Sequence, residues 1–326
     1  MTTLRWGILA TGGIAHAFAR DLRLAGREVT AVGSRRPDAA AAFAAEFDIP
    51  RALDYAQLAA DPDVDIVYIA TPHPSHAENA LLCLEHGKHV LVEKPFTLTG
   101  AEAAEVRDAA AARGLLAMEA MWTRYLPHMA RVRELATSGA LGEIRLVTAD
   151  HTQSLSTDPA HRLNDLSLGG GALLDLAIYP LSFAWDLLGA PTDVVARARL
   201  GETGADTEVA TIMTHADGAM STTMSSSRAV GPDTAHVVGT DARIDIDRVW
   251  YTPTSFRLTS VDGTVLEEYV SHVEGRGMQF QAFAAEAAVA TGIPPLLPVD
   301  ESVAIMATLD AIRADIGVIY PQELRI

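Results

Sequence analysis

The order of apolar patterns along the 326 residues predicts an α/β domain on a parallel sheet (residues 1–122), then an α+β domain with a mostly antiparallel sheet (residues 123–326). Three observations carry the prediction. Short apolar runs alternate with helical patterns through the first 120 residues. The run Val64–Ala70 is almost continuously apolar, as a strand buried on both faces is. Beyond Trp122, alternating segments follow one another without a helix between each pair.

The first domain opens with Leu4–Leu9, an apolar strand ending in glycines, and a helix from Ile14 to Leu24. Glu28–Val32 is a second strand, alanine-rich Pro37–Phe47 a helix, and Val64–Ala70 a third strand. Ser75–His86 reads as a helix closed by Gly87, His89–Glu93 as a fourth strand. Thr99–Arg113 is a helix capped by Gly114, and Leu115–Met118 a fifth strand. Helical connections of this length imply right-handed crossovers between parallel strands. The second domain starts with a helix over Tyr125–Ser138, a long strand over Glu143–Gln153 and a helix over Gly169–Leu188. Strand patterns then lie at Asp193–Leu200, Glu208–His215, Ala219–Ser226, Thr234–Gly239, Arg243–Asp247, Phe256–Thr259 and Val265–Tyr269. Helices at Met278–Ala290 and Val299–Gly317 follow, which predicts an antiparallel sheet with helices on one face.

Composition narrows the function. Hydrophobic residues make up 49% and charged residues 21%, enough for two sizeable cores. With 25 basic and 42 acidic side chains the formal charge is −17, which repels phosphate backbones and anionic lipid. Neither nucleic acid nor membrane is expected as a partner. No apolar run is read as a membrane span. Met1–Arg5 lead directly into the first strand without the regions of a signal peptide. The one cysteine, Cys83, cannot form an internal disulfide and sits in an apolar helical stretch, a small core residue rather than a nucleophile. A cytoplasmic protein is expected.

Ala10-Thr11-Gly12-Gly13-Ile14-Ala15 is a loose G-x-G-x-x-G/A fingerprint, placed where a strand turns into a helix. Small residues there let the backbone turn tightly and offer helix N–H groups to a pyrophosphate. The end of the second strand selects the nucleotide. An acidic residue there holds ribose hydroxyls of NAD, whereas Ser34, Arg35 and Arg36 stand here. Two guanidinium groups and a hydroxyl suit a 2′-phosphate, so NADP is expected over NAD.

Three further segments converge: Thr71-Pro72-His73-Pro-Ser-His76, the run Gly87 to Pro95 containing Glu93-Lys94-Pro95, and Gly169-Gly-Gly followed by Asp175 and Tyr179. Together they resemble the glucose–fructose oxidoreductase/inositol dehydrogenase (Gfo/Idh/MocA) family. Met118-Glu-Ala-Met-Trp122-Thr-Arg124 and the Tyr179 form of the last motif resemble its dimeric dihydrodiol dehydrogenase and D-xylose dehydrogenase branch. The resemblance spans most of the chain. It implies a Rossmann domain, then an α+β domain with a large open sheet, and hydride transfer between nicotinamide and a carbinol carbon of a sugar or dihydrodiol.

On that resemblance Lys94 and Tyr179 are catalytic and Asp175 supports them. Lys94 stands just beyond a strand's carboxyl end, where open α/β sheets bind ligands. Asp175 and Tyr179 are four residues apart, on one face of a helix, and are expected to point into the cleft between the domains. Tyr179 is the candidate general base, its pKa near 10 lowered by the Lys94 ammonium. Asp175 orients Lys94 or grips a second hydroxyl; as an anion it opposes phenolate. In many relatives a histidine takes the place of Tyr179. Thr71, Pro72, His73, His76 and Glu93 are expected to line the cofactor with Lys94. His73 and His76 lack a third partner at metal-ligand spacing, so no metal is expected. Arg162 is a candidate for a substrate hydroxyl or anion. Trp122 and Tyr125 supply either an apolar substrate wall or interdomain packing. A keto-sugar or aldehyde reductase and a non-catalytic dinucleotide sensor are the alternative readings. The open sheet face predicts a homodimer or a dimer of dimers.

Overall fold

The structure is a computed structural model that describes residues 4–324; Met1–Thr3 of the segment read as leaderless lie outside the described residues. The chain forms two compact units. The first runs to Tyr125 and takes in Glu274–Met306; the second holds Leu126–Val273 and the chain from Ala307 onward. This differs from a single division at 122/123, and the reason is specific packing. Asp21 accepts the backbone N–H groups of Arg276 and, at 2.8 Å, Met278. Glu286 accepts from Trp6 Nε1 at 3.1 Å and pairs with Arg27 at 3.0 Å. Helical periodicity reveals that a segment has an apolar face but not which sheet that face covers.

The first unit contains β1 (Trp6–Leu9), α1 (Gly13–Leu24), β2 (Val29–Gly33), α2 (Pro37–Phe47), β3 (Ala52–Leu53), α3 (Tyr55–Ala60), β4 (Ile66–Ile69), α4 (His76–Glu85), β5 (His89–Glu93), α5 (Gly100–Arg113) and β6 (Ala117–Ala120). Its six-stranded sheet has the order β3-β2-β1-β4-β5-β6 and is parallel throughout. β1, β4 and β6 are buried along their whole length; β1 and β4 therefore read as apolar runs, whereas β6 carries the buried Glu119 and lies two residues beyond the expected Leu115–Met118. Two-residue β3 and six-residue α3 were not read from the sequence, being too short for a periodicity. In the core Phe18 of α1 stacks on Tyr68 of β4 at 3.9 Å and meets Trp6 edge-on at 5.4 Å. Cys83 is fully buried, and burial pushes its thiol up to about 12, which suits a core residue.

The second unit begins with α6 (Pro127–Thr137) and β7 (Ile144–Thr152), then α7 (Ile178–Leu188). β8 (Pro191–Leu200), β9 (Asp206–His215), β10 (Met220–Ser226), β11 (Ala235–Gly239), β12 (Ala242–Ile246), β13 (Phe256–Ser260) and β14 (Val265–Tyr269) follow. The chain closes through α8 (Gln279–Thr291), in the first unit, and α9 (Val299–Ile316). The eight-stranded sheet has the order β14-β13-β12-β11-β7-β10-β9-β8; only β7 and β10 run parallel. α7 packs on β7 and β10. The face away from it exposes Leu146, Ile212, Met220 and Met224.

The predicted single helix over Gly169–Leu188 is instead a glycine turn, a π-helical turn (Leu173–Ala177) and then α7. Nor does the reading that no run reaches membrane length hold by composition alone. Leu166–Leu188 is long and apolar enough to cross a membrane, but 83% of that window is buried inside the structure. Its π turn and the first two turns of α7 lie in the core of the second unit.

Candidate active site

In the first unit, the candidate residues gather at the carboxyl ends of β1, β2, β4 and β5, the edge where open parallel sheets bind ligands. α1 starts at exposed Gly12 and Gly13, and no side chain caps it. A Cβ on either glycine would meet nothing within 4 Å, so crowding within the chain does not require glycine there. Bare backbone N–H groups at a helix N-terminus are an anion site, with room for the anion to come close. Thr11 and Ile14 flank the turn half-buried. Ala10, in the first slot of the fingerprint, has φ +89°, a strained conformation for a residue with a Cβ. At the end of β2, Arg35 and Arg36 are exposed. Ser34 is buried and its hydroxyl accepts the Arg36 N–H at 3.2 Å, shaping the turn. Burial raises the Tyr55 phenol, and the adjacent Arg35 guanidinium opposes that shift.

At the end of β4 the Thr71 hydroxyl is buried without a hydrogen-bond partner, an unmet polar group beside exposed Pro72 and largely buried His73. His76 departs from expectation. It is fully buried, with its ring nitrogens 2.9 Å from the carbonyls of Thr71 and Pro95, so it braces two turns instead of facing a cofactor. Burial lowers its pKa against the pull of those carbonyls. Glu93 is similarly internal. It accepts from the Tyr68 hydroxyl and, at 3.2 Å, from the Lys94 N–H. Burial raises its pKa, while the Tyr68 bond and the Lys94 charge oppose the shift. Both residues fix the backbone around Lys94, whose side chain is half-buried.

Trp122 is only 1% exposed, with the Arg276 guanidinium 5.2 Å above its ring. It offers almost no surface to a substrate; its role is packing. The Tyr125 hydroxyl accepts the Leu297 N–H at 3.3 Å, likewise an internal tie.

Sequence reasoning missed Glu119, buried at the end of β6. It accepts from Phe96 N–H at 3.1 Å and from the Ser302 hydroxyl at 2.8 Å, and so holds the turn after Lys94. Burial pushes its carboxyl up to about 7. A folded pKa above the unfolded value means that this group's stabilisation is complete below the unfolded pKa, near 4.5, and is lost as pH rises through about 7. Glu119→Gln keeps both bonds, its carbonyl accepting from Phe96 and its amide donating to Ser302. The variant is expected to lose about 3 kcal/mol of that pH-dependent destabilisation, measured by denaturant unfolding at pH 5 and pH 8. Equal pH slopes for the two proteins would count against it.

In the second unit, two of the glycines before α7 are required by close contacts. A Cβ on Gly170 would lie 2.8 Å from the carbonyl oxygens of Arg162 and Asp165. Gly171 has φ +134°, and a Cβ there would lie 2.1 Å from Asp206 Oδ1. Asp206 was another omission from the sequence reading. From β9 it accepts the Leu173 N–H at 2.6 Å, placing a carboxylate at the start of the segment that carries Asp175 and Tyr179. Burial pushes its carboxyl up to about 6, and the N–H groups of Leu173 and Ala172 hold it from rising further.

Asp175 lies in the π turn, and Arg162 grips it with two bonds of 3.2 and 3.3 Å. Arg162 is therefore held by Asp175, which neutralises part of that carboxylate's charge. Tyr179 is 7% exposed. Its ring meets His151 edge-on at 5.0 Å and Tyr251 at 5.4 Å. No signal in the alternation of Glu143–Gln153 singled out His151 from its strand neighbours.

Comparison with known proteins agrees with this architecture. Residues 4–121 match the model of an oxidoreductase family with an NAD-binding Rossmann fold, and residues 129–245 match the GFO/IDH/MocA C-terminal domain. The trans-1,2-dihydrobenzene-1,2-diol dehydrogenase of Mus musculus is 35% identical over 334 residues, 99% of either chain. The D-xylose 1-dehydrogenase (NADP(+)) of Hypocrea jecorina is 35% identical, covering 98% of this chain and 94% of that one. A 3-ketoreductase from Actinomadura kijaniata, solved with NADP and TDP-benzene, has a TM-score of 0.85 at 28% identity, over 97% and 98% of the two chains. Levoglucosan dehydrogenase in complex with NADH shares the fold, with a TM-score of 0.88 at 22% identity over 97% of each chain.

Proposed function

Because the chain belongs to the GFO/IDH/MocA oxidoreductase family, we propose that it is an NADP-dependent dehydrogenase oxidising a carbinol carbon of a sugar, such as the aldose D-xylose, or of a trans-dihydrodiol. The observation that carries this reading is the end-to-end likeness to dehydrogenases of those two substrate types. Assaying NADP reduction by the purified chain over a panel of aldoses and dihydrodiols tests it. Activity with neither class would overturn it.

The residues fit the cofactor. The uncapped glycine turn at α1 and the unmet Thr71 hydroxyl suit a dinucleotide's phosphates and polar edges. Exposed Arg35 and Arg36, with no carboxylate between β2 and α2, suit a 2′-phosphate. Removing both guanidinium groups (Arg35→Ala with Arg36→Ala) should raise KM for NADP roughly 10- to 100-fold and leave KM for NAD unchanged. Steady-state kinetics with both cofactors checks this; an unchanged NADP preference would refute the assignment.

When bound, NADP supplies the hydride acceptor. The chain's own residues handle the proton. Tyr179 takes the proton of the substrate hydroxyl, and Lys94 holds that hydroxyl and favours the phenolate. Arg162 offsets the charge of Asp175, reducing its opposition to the phenolate. In reverse Tyr179 is the proton donor. Likeness to a 3-ketoreductase favours that direction as a second reading, tested by NADPH oxidation with keto-sugars.

We further propose that the exposed apolar face of the eight-stranded sheet, with Ile212, Met220 and Met224, pairs with a second copy of the chain. Light scattering should give twice the chain mass or a multiple of it, and Ile212→Asp with Met224→Asp should give the single-chain mass. A monomeric wild type would remove the claim.

A further inference from the structure

We propose that His151 is a positioning residue for the Tyr179 phenol, acting through the backbone of the π turn. The proposal rests on the reading of Tyr179 as the proton acceptor and names what holds it in place.

In a helix each carbonyl accepts an N–H from four residues on. For Leu176 that position is Pro180, which has no N–H and whose ring crowds the carbonyl. The backbone widens into the π turn just here, over Leu173–Ala177. His151, reaching in from β7, has Nδ1 3.2 Å from the Leu176 carbonyl oxygen. A carbonyl only accepts, so Nδ1 carries the hydrogen and adds a side-chain donor to a carbonyl that lacks the N–H of position 180 and otherwise takes a backbone N–H at the end of the π turn.

The other ring nitrogen agrees with that assignment. Gln153 Nε2 lies 2.8 Å from His151 Nε2, and an amide nitrogen only donates, so Nε2 is the acceptor. The two contacts select one neutral tautomer. The same Gln153 nitrogen is 3.4 Å from the Tyr251 hydroxyl. The Tyr251 ring stacks on the imidazole at 3.9 Å, while the Tyr179 ring meets it edge-on, at 5.0 Å and 74°. The three rings are each at most 8% exposed.

The imidazole thus does two things at once. It ties β7 to the carbonyl three residues before Tyr179, and it forms one wall of the slot that sets the phenol ring's rotation. Phenylalanine would fill the same space and keep the wall, but it would leave the Leu176 carbonyl without this donor. Proton transfer depends steeply on such placement, because a shift of about an ångström in a reacting group costs up to a hundredfold in rate.

Three variants test this. His151→Phe keeps the ring and removes the donor. His151→Asn puts an amide N–H close to the Nδ1 position, and His151→Gln reaches only the Nε2 position. We expect His151→Phe to lower kcat roughly tenfold or more, with KM for the sugar and Kd for NADP within about threefold of wild type. His151→Asn should recover most of kcat and His151→Gln should not. The pH limb belonging to the phenol should persist at a lower plateau. A wild-type kcat in His151→Phe, or an Asn variant as slow as the Phe variant, overturns the proposal. Circular dichroism melts accompany the assays. If His151→Phe does not fold, the Asn and Gln pair decides alone, and equal rates for those two overturn it. Tyr179→Phe is measured in parallel. If that variant turns over normally, the reading of the phenol fails and takes the role of His151 with it. A dead Tyr179→Phe beside a normal His151→Phe overturns only the role of His151.

Discussion

Replacing Tyr179 by Phe is expected to lower kcat by about 10²- to 10⁴-fold while NADP binds as before. The substitution removes one oxygen from a ring whose edges are already set by His151 and Tyr251, so the packing of the second unit survives. What is lost is the group proposed to take the hydroxyl proton. Lys94→Ala is expected to fall by a similar factor for a different reason. On the proposed roles the phenolate then loses the positive charge that favours it, and activity should shift to higher pH. Comparing kcat from pH 6 to 10 for wild type and Lys94→Ala, with NADP binding followed by fluorescence, separates the two roles. Near-normal turnover in both variants would refute the assignment.

Gly171→Ala is expected to destabilise the chain by about 3 kcal/mol or more and to cut activity with it. Backbone and contact act together. At φ +134° a side chain is strained in any surroundings, and the added Cβ would sit 2.1 Å from Asp206 Oδ1. Asp206 cannot yield freely, since its carboxylate holds the Leu173 N–H at the start of the segment leading to Asp175 and Tyr179. Denaturant unfolding measures the loss. A Gly171→Ala, Asp206→Ala double variant should lose less than the sum of its parts, because the two substitutions share one clash. Additive losses would show that the carboxylate is not the obstacle.

The parallel strands were legible because strands buried on both faces read as unbroken apolar runs, and the glycine fingerprint because it falls where β1 turns into α1. Lys94, Asp175 and Tyr179 were legible as candidates through motif order. The roles of their neighbours were not. His76 and Glu93 stand in the right motifs yet point inward, and no local pattern tells a ligand-facing histidine from one bonded to two carbonyls. Glu119, His151 and Asp206 act through partners far away in sequence, on Ser302, Leu176 and Leu173. The break of the expected long helix into glycine turn, π turn and α7 was hidden because the apolar pattern runs on through all three. Pro180 was the visible clue, since a proline inside a helical pattern disturbs the turn before it.

The most direct measurement is a crystal structure of the chain with NADP and a bound aldose or dihydrodiol. Tyr179 Oη and Lys94 Nζ are each expected within about 3 Å of the same substrate hydroxyl. A substrate hydroxyl bound by other groups, with the phenol beyond reach even through one water, would contradict it.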